Sequence, residues 1–208
     1  QQLVEAGVLL PVDDEYRLQT KESAEWNQEF RRQQQAIAND APRIADVRSN
    51  ELRAALSTTL KDMRLTQGVT KVSRKPELHF GAEPPKPGEG IPIWVRDGWT
   101  TSEAAVRADA QAAGTAAPTV FVFLPRTGSD ALTATIAAQL AAKATVEGRP
   151  SPTTPEGIDA RASMQSRERV ERSKLEARIA EVLQTARVFQ GGGNEVAEGS
   201  LKASLQTA

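Results

Sequence analysis

The spacing of apolar residues divides the chain into a helical first part and a mixed second part. Between residues 21 and 63, apolar side chains recur every three, four or seven positions, as on an amphipathic helix. The pattern continues in a shifted phase from Leu52, and the run is interrupted at Pro42, which lacks an amide hydrogen and favours the start of a new helix. We therefore predict two helices here, either kinked or folded into a hairpin, with Asp40 as the N-cap of the second.

Residues 1–20 carry the pattern with which a winged helix-turn-helix domain ends. The pattern predicts a last helical turn (Leu3-Val4), a glycine stop (Gly7), an apolar strand (8–12), a tight turn (13–14) and a returning strand (15–19). A wing can lie along the DNA backbone. Phosphate would repel the acidic tip of this wing, so packing against protein is favoured over DNA contact.

From residue 65 the period changes to that of strands alternating with helices. The predicted strands are 66–71, 77–80, 91–96, 118–125 and 188–190. The strand at 118–125 is apolar throughout, which predicts a central position with both faces covered. One helix is predicted after a capping box of Thr100 and Glu103, with Gly114 as its stop, and a second from Ser129 to Gly148. This alternation predicts at least one parallel strand pair.

A long helix is predicted from Thr154, its cap, through Pro155 to about Arg187. Its first half is charged and is expected to protrude or pack lightly. Its second half carries an apolar stripe that is a candidate protein interface, formed by Leu175, Ile179, Val182 and Leu183. Beyond it, the three glycines at 191–193 predict a turn or linker, and Ser200 predicts the start of a short helix.

The expected fold class is therefore α+β or α/β. It comprises the end of a winged helix, long helices, a small mixed sheet with flanking helices, and one long protruding helix. The corresponding segments are a wing (1–20), a helical linker or hairpin (21–63), a mixed α/β domain (64–150), the long helix (151–187), and a strand with a truncated helix (188–208).

Composition excludes several kinds of chemistry. The chain has no cysteine and one histidine, His79, so disulfides, thiolate metal sites and sites with two imidazoles are excluded. No metal or cofactor site is predicted. The sequence has no apolar run of about 20 residues and no leader pattern, so we expect a cytoplasmic, bacterial protein. The chain begins without Met and stops within an amphipathic pattern, which is typical of a piece of a longer protein.

Two clusters could carry a function of their own. Lys71, Arg74 and Lys75 form the densest basic cluster, with Lys61 and Arg64 slightly upstream. With Arg17 on the wing they would make a DNA-binding module, because cations neutralise backbone phosphates. Alternatively, Trp94, Asp97 and Trp99 would line the cleft of a small α/β enzyme with carboxylate chemistry. His79 is expected to be structural, and the sequence contains no phosphate-binding P-loop.

The ordered set of residues 7–20, 91–99, 118–125 and 186–196 resembles an internal segment of the large P-loop ATPase of bacteriophage-exclusion (BREX) systems, of the BrxC/PglY type. The resemblance implies a parent protein that binds ATP and Mg²⁺ elsewhere in its chain and that oligomerises through its ATPase core. No position here matches the Walker motifs, so no catalytic residue is carried over. The segment is expected to be a non-catalytic accessory module that couples the ATPase to DNA or to other phage-defence subunits.

Overall fold

The computed structural model describes residues 9–12, 15–18, 20–67, 72–86 and 88–208. The fold is mixed α and β, and the chain divides into two compact units. The first unit comprises residues 1–48 with 130–176, and the second comprises residues 49–129 with 177–208.

The first unit contains a hairpin of strands β1 (Leu9–Val12) and β2 (Glu15–Leu18). The strands pair antiparallel with Leu9 opposite Leu18, so the two strands expected in this segment form and pair with each other. The helical turn expected at residues 3–7 and the tight turn at 13–14 lie outside the described residues. The winged helix therefore stays a prediction.

Two helices follow the hairpin, as predicted, with a short break between them. Helix α1 spans Lys21–Ala38 and helix α2 spans Ala41–Leu60. The amide of Arg43 donates a 3.1 Å hydrogen bond to the Asp40 carboxylate, which confirms Asp40 as the cap of α2. Later in the chain, helix α4 spans Ser129–Glu147 and helix α5 spans Pro155–Gln184. Residues 130–176 of this stretch belong to the first unit.

Helix α5 begins where the sequence predicts and ends earlier. The Thr154 hydroxyl caps it by accepting from the Gly157 amide at 3.2 Å. The helix stops at Gln184, three residues short of the predicted end at Arg187, because Arg187 is the first residue of a strand of the sheet described next.

The first half of α5 is largely exposed and packs along one narrow face, which is the light packing that the sequence allows as the alternative to protrusion. Ala160 and Met164, four positions apart on the helix, are buried. The Arg167 guanidinium lies 4.6 Å from the ring centre of Phe30 on α1 and donates to the Asn27 side chain at 3.2 Å. An arginine can cover an aromatic ring while its charge stays hydrated, so a strongly charged sequence still packs.

The second unit is built on a five-stranded sheet in the order β5-β6-β7-β8-β9. Its strands are β5 (Pro76–Phe80), β6 (Ile91–Asp97), β7 (Val120–Leu124), β8 (Arg187–Phe189) and β9 (Glu195–Val196). Strands β5, β6 and β7 are parallel, and β8 and β9 are antiparallel to their neighbours. All five residues of β7 are buried, which confirms it as the central strand.

A separate two-stranded sheet precedes β5. Strand β3 (Leu65–Gln67) pairs antiparallel with β4 (Val72–Arg74). The strand predicted over 66–71 is present at residues 66–67, and its residues 68–71 lie outside the described ranges. The short helix α6 (Leu201–Thr207) starts after its predicted cap, Ser200.

Helix α3 (Glu103–Ala113) packs on one face of the five-stranded sheet. The buried cluster between them consists of Trp94, Val106, Ala110, Phe121, Phe123 and Phe189. The cap of α3 is Ser102, whose hydroxyl accepts from the Ala105 amide at 3.2 Å. The predicted capping box with Thr100 is therefore wrong, because the Thr100 hydroxyl is bonded to Asp97 in the preceding turn.

We expect Ser102→Ala to lower the free energy of unfolding by about 1 kcal/mol, because it leaves an amide of the first turn of α3 without its partner. Urea denaturation followed by circular dichroism measures the change. Ser102→Asp is the matched control, since it keeps an acceptor at the cap and should preserve stability. Equal losses in both variants would contradict the role of Ser102 as a cap.

A glycine turn and an ion-pair network hold β8 and β9 in the sheet. Gly192 and Gly193 have φ angles of 91° and 82°, a region that favours glycine, and the Gly192 amide donates to the Ala110 carbonyl at 2.7 Å. Arg187 pairs with Glu195 at 2.8 Å, and Arg107 of α3 pairs with the same carboxylate at 3.1 Å. Residues 191–193 are thus the tip of a hairpin, as the glycine pattern predicts.

Candidate functional site

The carboxyl ends of the parallel strands are the first place to look for a site, because α/β sheets bind ligands outside these ends. Strand β6 ends there at Asp97. One oxygen of the Asp97 carboxylate accepts from the amides of Trp99 and Thr100 at 3.0 and 3.1 Å and lies 3.3 Å from the Thr100 hydroxyl. This oxygen closes the turn that leads into α3.

The two tryptophans beside Asp97 also have structural contacts. Trp94 is 5% exposed and donates from Nε1 to the Gly81 carbonyl at 3.0 Å. Trp99 donates from Nε1 to the Ser129 hydroxyl at 3.1 Å. Trp94 and Asp97 stand three positions apart in β6, so they belong to opposite faces of the sheet. The structure therefore does not bring the Trp94, Asp97 and Trp99 side chains together in one cleft.

His79 lies in β5, in register with Trp94. Its Nε2 atom is 3.9 Å from a carboxylate oxygen of Glu77 and makes no hydrogen bond within the described residues. Over the described ranges, no group of three or more histidine, aspartate or glutamate side chains is placed to hold a metal ion. The structural role of His79 stays a prediction.

A cavity of about 270 Å³ opens at the carboxyl edge of the sheet, and we call it the edge cavity. Its floor is formed by Leu52 of α2 together with Val95 and Leu124 of the sheet, and its rim includes Arg53, Asp97 and Thr100. Sequence patterns did not single out Arg53, because an arginine on the polar face of a helix looks like any solvated residue until the sheet is placed beside it.

The basic residues converge on a different surface. A cavity of about 280 Å³, which we call the basic groove, is lined by Lys61, Arg64 and Lys75. These three cations are exposed, and none has a carboxylate partner in the described part of the chain. The groove floor is apolar and includes Leu60, Met63, Pro76 and Leu78. Asp62, between Lys61 and Arg64 in the chain, is also exposed, and its carboxylate offsets part of the positive charge at the groove.

The other predicted nucleic-acid contacts have different positions. Arg74 is exposed on β4, next to the groove residue Lys75 in the chain. Arg17 lies on β2, opposite Leu10, in the first unit. Lys71 lies outside the described residues. The sequence placed Lys61 and Arg64 only slightly upstream of the cluster, and the fold brings both to the same cavity as Lys75.

The stripe predicted as a protein interface is largely buried within the chain. Leu175, Ile179 and Val182 are 0%, 4% and 1% exposed, and Leu183 is half-buried. These side chains therefore contribute to the core of the protein. A period of apolar residues shows that one helix face is covered, but it does not say whether the same chain or another one covers it.

Comparison with protein-family models, with curated proteins and with solved structures finds no match for this chain. Among the described residues, no helix is both long enough and apolar enough to span a membrane.

Proposed function

We propose that this chain is a non-catalytic module that couples a large, ATP-driven bacterial phage-defence ATPase to DNA in the cytoplasm. The observation that carries the proposal is the basic groove, in which Lys61, Arg64 and Lys75 line one cavity and have no carboxylate partner among the described residues. The resemblance to the BREX ATPase supports the part of the proposal that concerns a parent ATPase with its ATP and Mg²⁺. The proposal names DNA as the partner; another subunit of the defence system is the alternative.

The pairing of charges favours a polyanion at the groove. Elsewhere in the described residues, several arginines already contact carboxylates; these are Arg32, Arg96, Arg107, Arg149, Arg178 and Arg187. Within the part of the chain that the structure describes, the groove cations have no such partner, so they can neutralise backbone phosphates without first breaking an ion pair there. The chain as a whole has a net charge of −1, so this attraction is local to the groove.

The acidic residues of the wing favour the groove over the wing as the surface that contacts DNA. Asp13, Asp14 and Glu15 are consecutive in the sequence, and phosphate would repel them. We therefore expect the hairpin of β1 and β2 to pack against protein and the groove to contact DNA.

The contacts at the carboxyl edge of the sheet support a non-catalytic role. One oxygen of Asp97 closes a turn, and Trp94 and Trp99 each donate to a neighbouring group. The competing hypothesis of a small enzyme with carboxylate chemistry needs these side chains in one cleft. Turnover of ATP by the 208-residue chain would overturn the non-catalytic part of the proposal.

DNA binding is tested by fluorescence anisotropy with a labelled duplex at low salt. We expect the chain to bind, and the triple variant Lys61→Gln, Arg64→Gln and Lys75→Gln to bind at least tenfold more weakly. The slope of log affinity against log salt should also become shallower by about 3, since each phosphate contact contributes about 0.9.

The matched control replaces three exposed cations outside the groove by Arg43→Gln, Lys86→Gln and Lys202→Gln. It lowers the net charge by the same amount and should leave most of the affinity and the salt slope in place. No binding by the unmodified chain, or an equal loss in both triple variants, would reject the groove as the DNA contact.

The link to a parent ATPase has its own test. We expect the open reading frame that encodes this chain to contain a P-loop motif upstream of Gln1. A complete reading frame without that motif would overturn the link to the ATPase and leave the DNA-binding experiment unaffected.

A further inference from the structure

The edge cavity is a second binding site, distinct from the basic groove, and we propose that it takes a small zwitterion, namely a free amino acid with an apolar side chain. The cavity lies where the parallel strands β5, β6 and β7 end, beside α2. Ligands of α/β sheets bind outside this edge because loops and helix ends there can vary without disturbing the sheet.

The size and walls of the cavity suit a small ligand that is partly apolar. Its volume of about 270 Å³ is just below the range of roughly 300–1,000 Å³ that is typical for drug-sized ligands. Leu52, Val95 and Leu124 are almost fully buried and present hydrocarbon to its interior. An apolar side chain placed there would be removed from water against hydrocarbon walls, which is favourable.

Arg53 provides the positive end of the site. Its guanidinium lies 4.8 Å from the ring centre of Phe80, and both residues line the cavity. Arg53 has no carboxylate partner among the described residues. A guanidinium that is held over an aromatic ring keeps its edge donors available, and their fork geometry matches a carboxylate.

Asp97 provides the negative end. One of its oxygens serves the turn to Thr100, and the other accepts no hydrogen bond from the part of the chain that the structure describes. The second oxygen can therefore accept from an ammonium group, with the Thr100 hydroxyl on the same rim. Gly81 lines the cavity and borders open space, because a side-chain carbon there would meet nothing within 4 Å.

The two opposite charges select the class of ligand. Arg96 also lines the cavity, but its guanidinium is paired with Asp109 at 3.1 Å, so Arg53 and Asp97 are the charges left for a ligand. A phosphate dianion would be attracted by Arg53 and repelled by Asp97, whereas a zwitterion has a group for each of them. The apolar floor then holds the side chain. The site needs no ATP, metal or DNA, so the inference is independent of the proposed function.

The probe for this site is L-leucine, titrated into the isotope-labelled chain and followed by amide chemical shifts. We expect saturable shifts at Gly81, Ala82, Gly98 and Thr100, around the cavity. Isocaproate lacks the ammonium group and isoamylamine lacks the carboxylate, so each should bind at least tenfold more weakly than L-leucine. Equal binding of either analogue, or no saturable shift with L-leucine, would overturn the inference.

Two variants locate the site. Arg53→Gln and Asp97→Asn should each weaken L-leucine binding at least tenfold, and Asp97→Asn retains an oxygen for the turn. Arg43→Gln changes an exposed arginine of the same helix outside the cavity and should bind L-leucine as the unmodified chain does. A matching amide spectrum away from the cavity identifies a folded variant, and an equal loss with Arg43→Gln would reject the assignment.

Discussion

Phe189→Ala is expected to lower the free energy of unfolding by about 3–5 kcal/mol. Phe189 is fully buried in β8 and belongs to the cluster between α3 and the sheet. Truncation would leave a cavity, because the strands and α3 around it cannot close the space fully. It would also remove the ring that the Arg107 guanidinium covers at 4.9 Å.

Equilibrium urea denaturation measures this loss, with circular dichroism and tryptophan fluorescence as separate probes because two compact units can unfold at different concentrations. Val72→Ala is the control, since Val72 is 51% exposed on β4 and should change stability by no more than about 0.5 kcal/mol. A loss below about 1 kcal/mol for Phe189→Ala would contradict its place in the core.

Leu175→Ala is expected to destabilise the chain by about 2–5 kcal/mol. The sequence singles out Leu175 as part of a candidate interface, whereas the structure leaves it 0% exposed. If it belongs to the core, its truncation lowers the stability of the isolated chain. If it belonged to an interface, truncation would leave the isolated chain nearly unchanged and weaken the binding of a partner.

Val170→Ala is the matched control for Leu175→Ala, because Val170 is on the same helix and 50% exposed. We expect it to change the free energy of unfolding by no more than about 0.5 kcal/mol. Similar small losses for both variants, measured in the same urea experiment, would restore Leu175 as an interface residue.

Local signals in the sequence predicted most element boundaries. Asp40, Thr154 and Ser200 were identified as caps, and each of them caps a helix in the structure. The continuously apolar strand that contains Val120–Leu124 was expected to be central, and it is. Such signals depend on neighbours in the chain: a capping hydroxyl reaches amides two or three residues ahead.

The errors occur where a second contact, local or distant, competes with the one that the pattern suggests. Thr100 has a capping residue type at a suitable spacing, but the turn at Asp97 engages its hydroxyl and Ser102 becomes the cap. The long helix was extended to Arg187 because helical periodicity continues there. Pairing of Arg187 with Phe123 of β7 takes that residue into the sheet instead.

The candidate sites depend still more on tertiary structure. The basic groove combines Lys61 and Arg64, which follow α2, with Lys75, which precedes β5. The edge cavity combines Arg53 of α2 with Asp97 of β6. Arg53 and Asp97 are far apart in the chain, so no spacing rule could have placed them in one cavity. The sequence did place Lys61 and Arg64 near the basic cluster, but only the fold decides that they share a cavity with Lys75.

The sequence by itself determined the alternation of helices and strands, the caps of most helices and the absence of cysteine chemistry, because these follow from residue types and short-range hydrogen bonds. Only the tertiary structure decided which apolar stripe is core and which cations meet without a carboxylate partner in the described ranges. Burial and charge pairing depend on what packs against a residue, and for Leu175 and Lys61 the deciding neighbours are remote in the sequence.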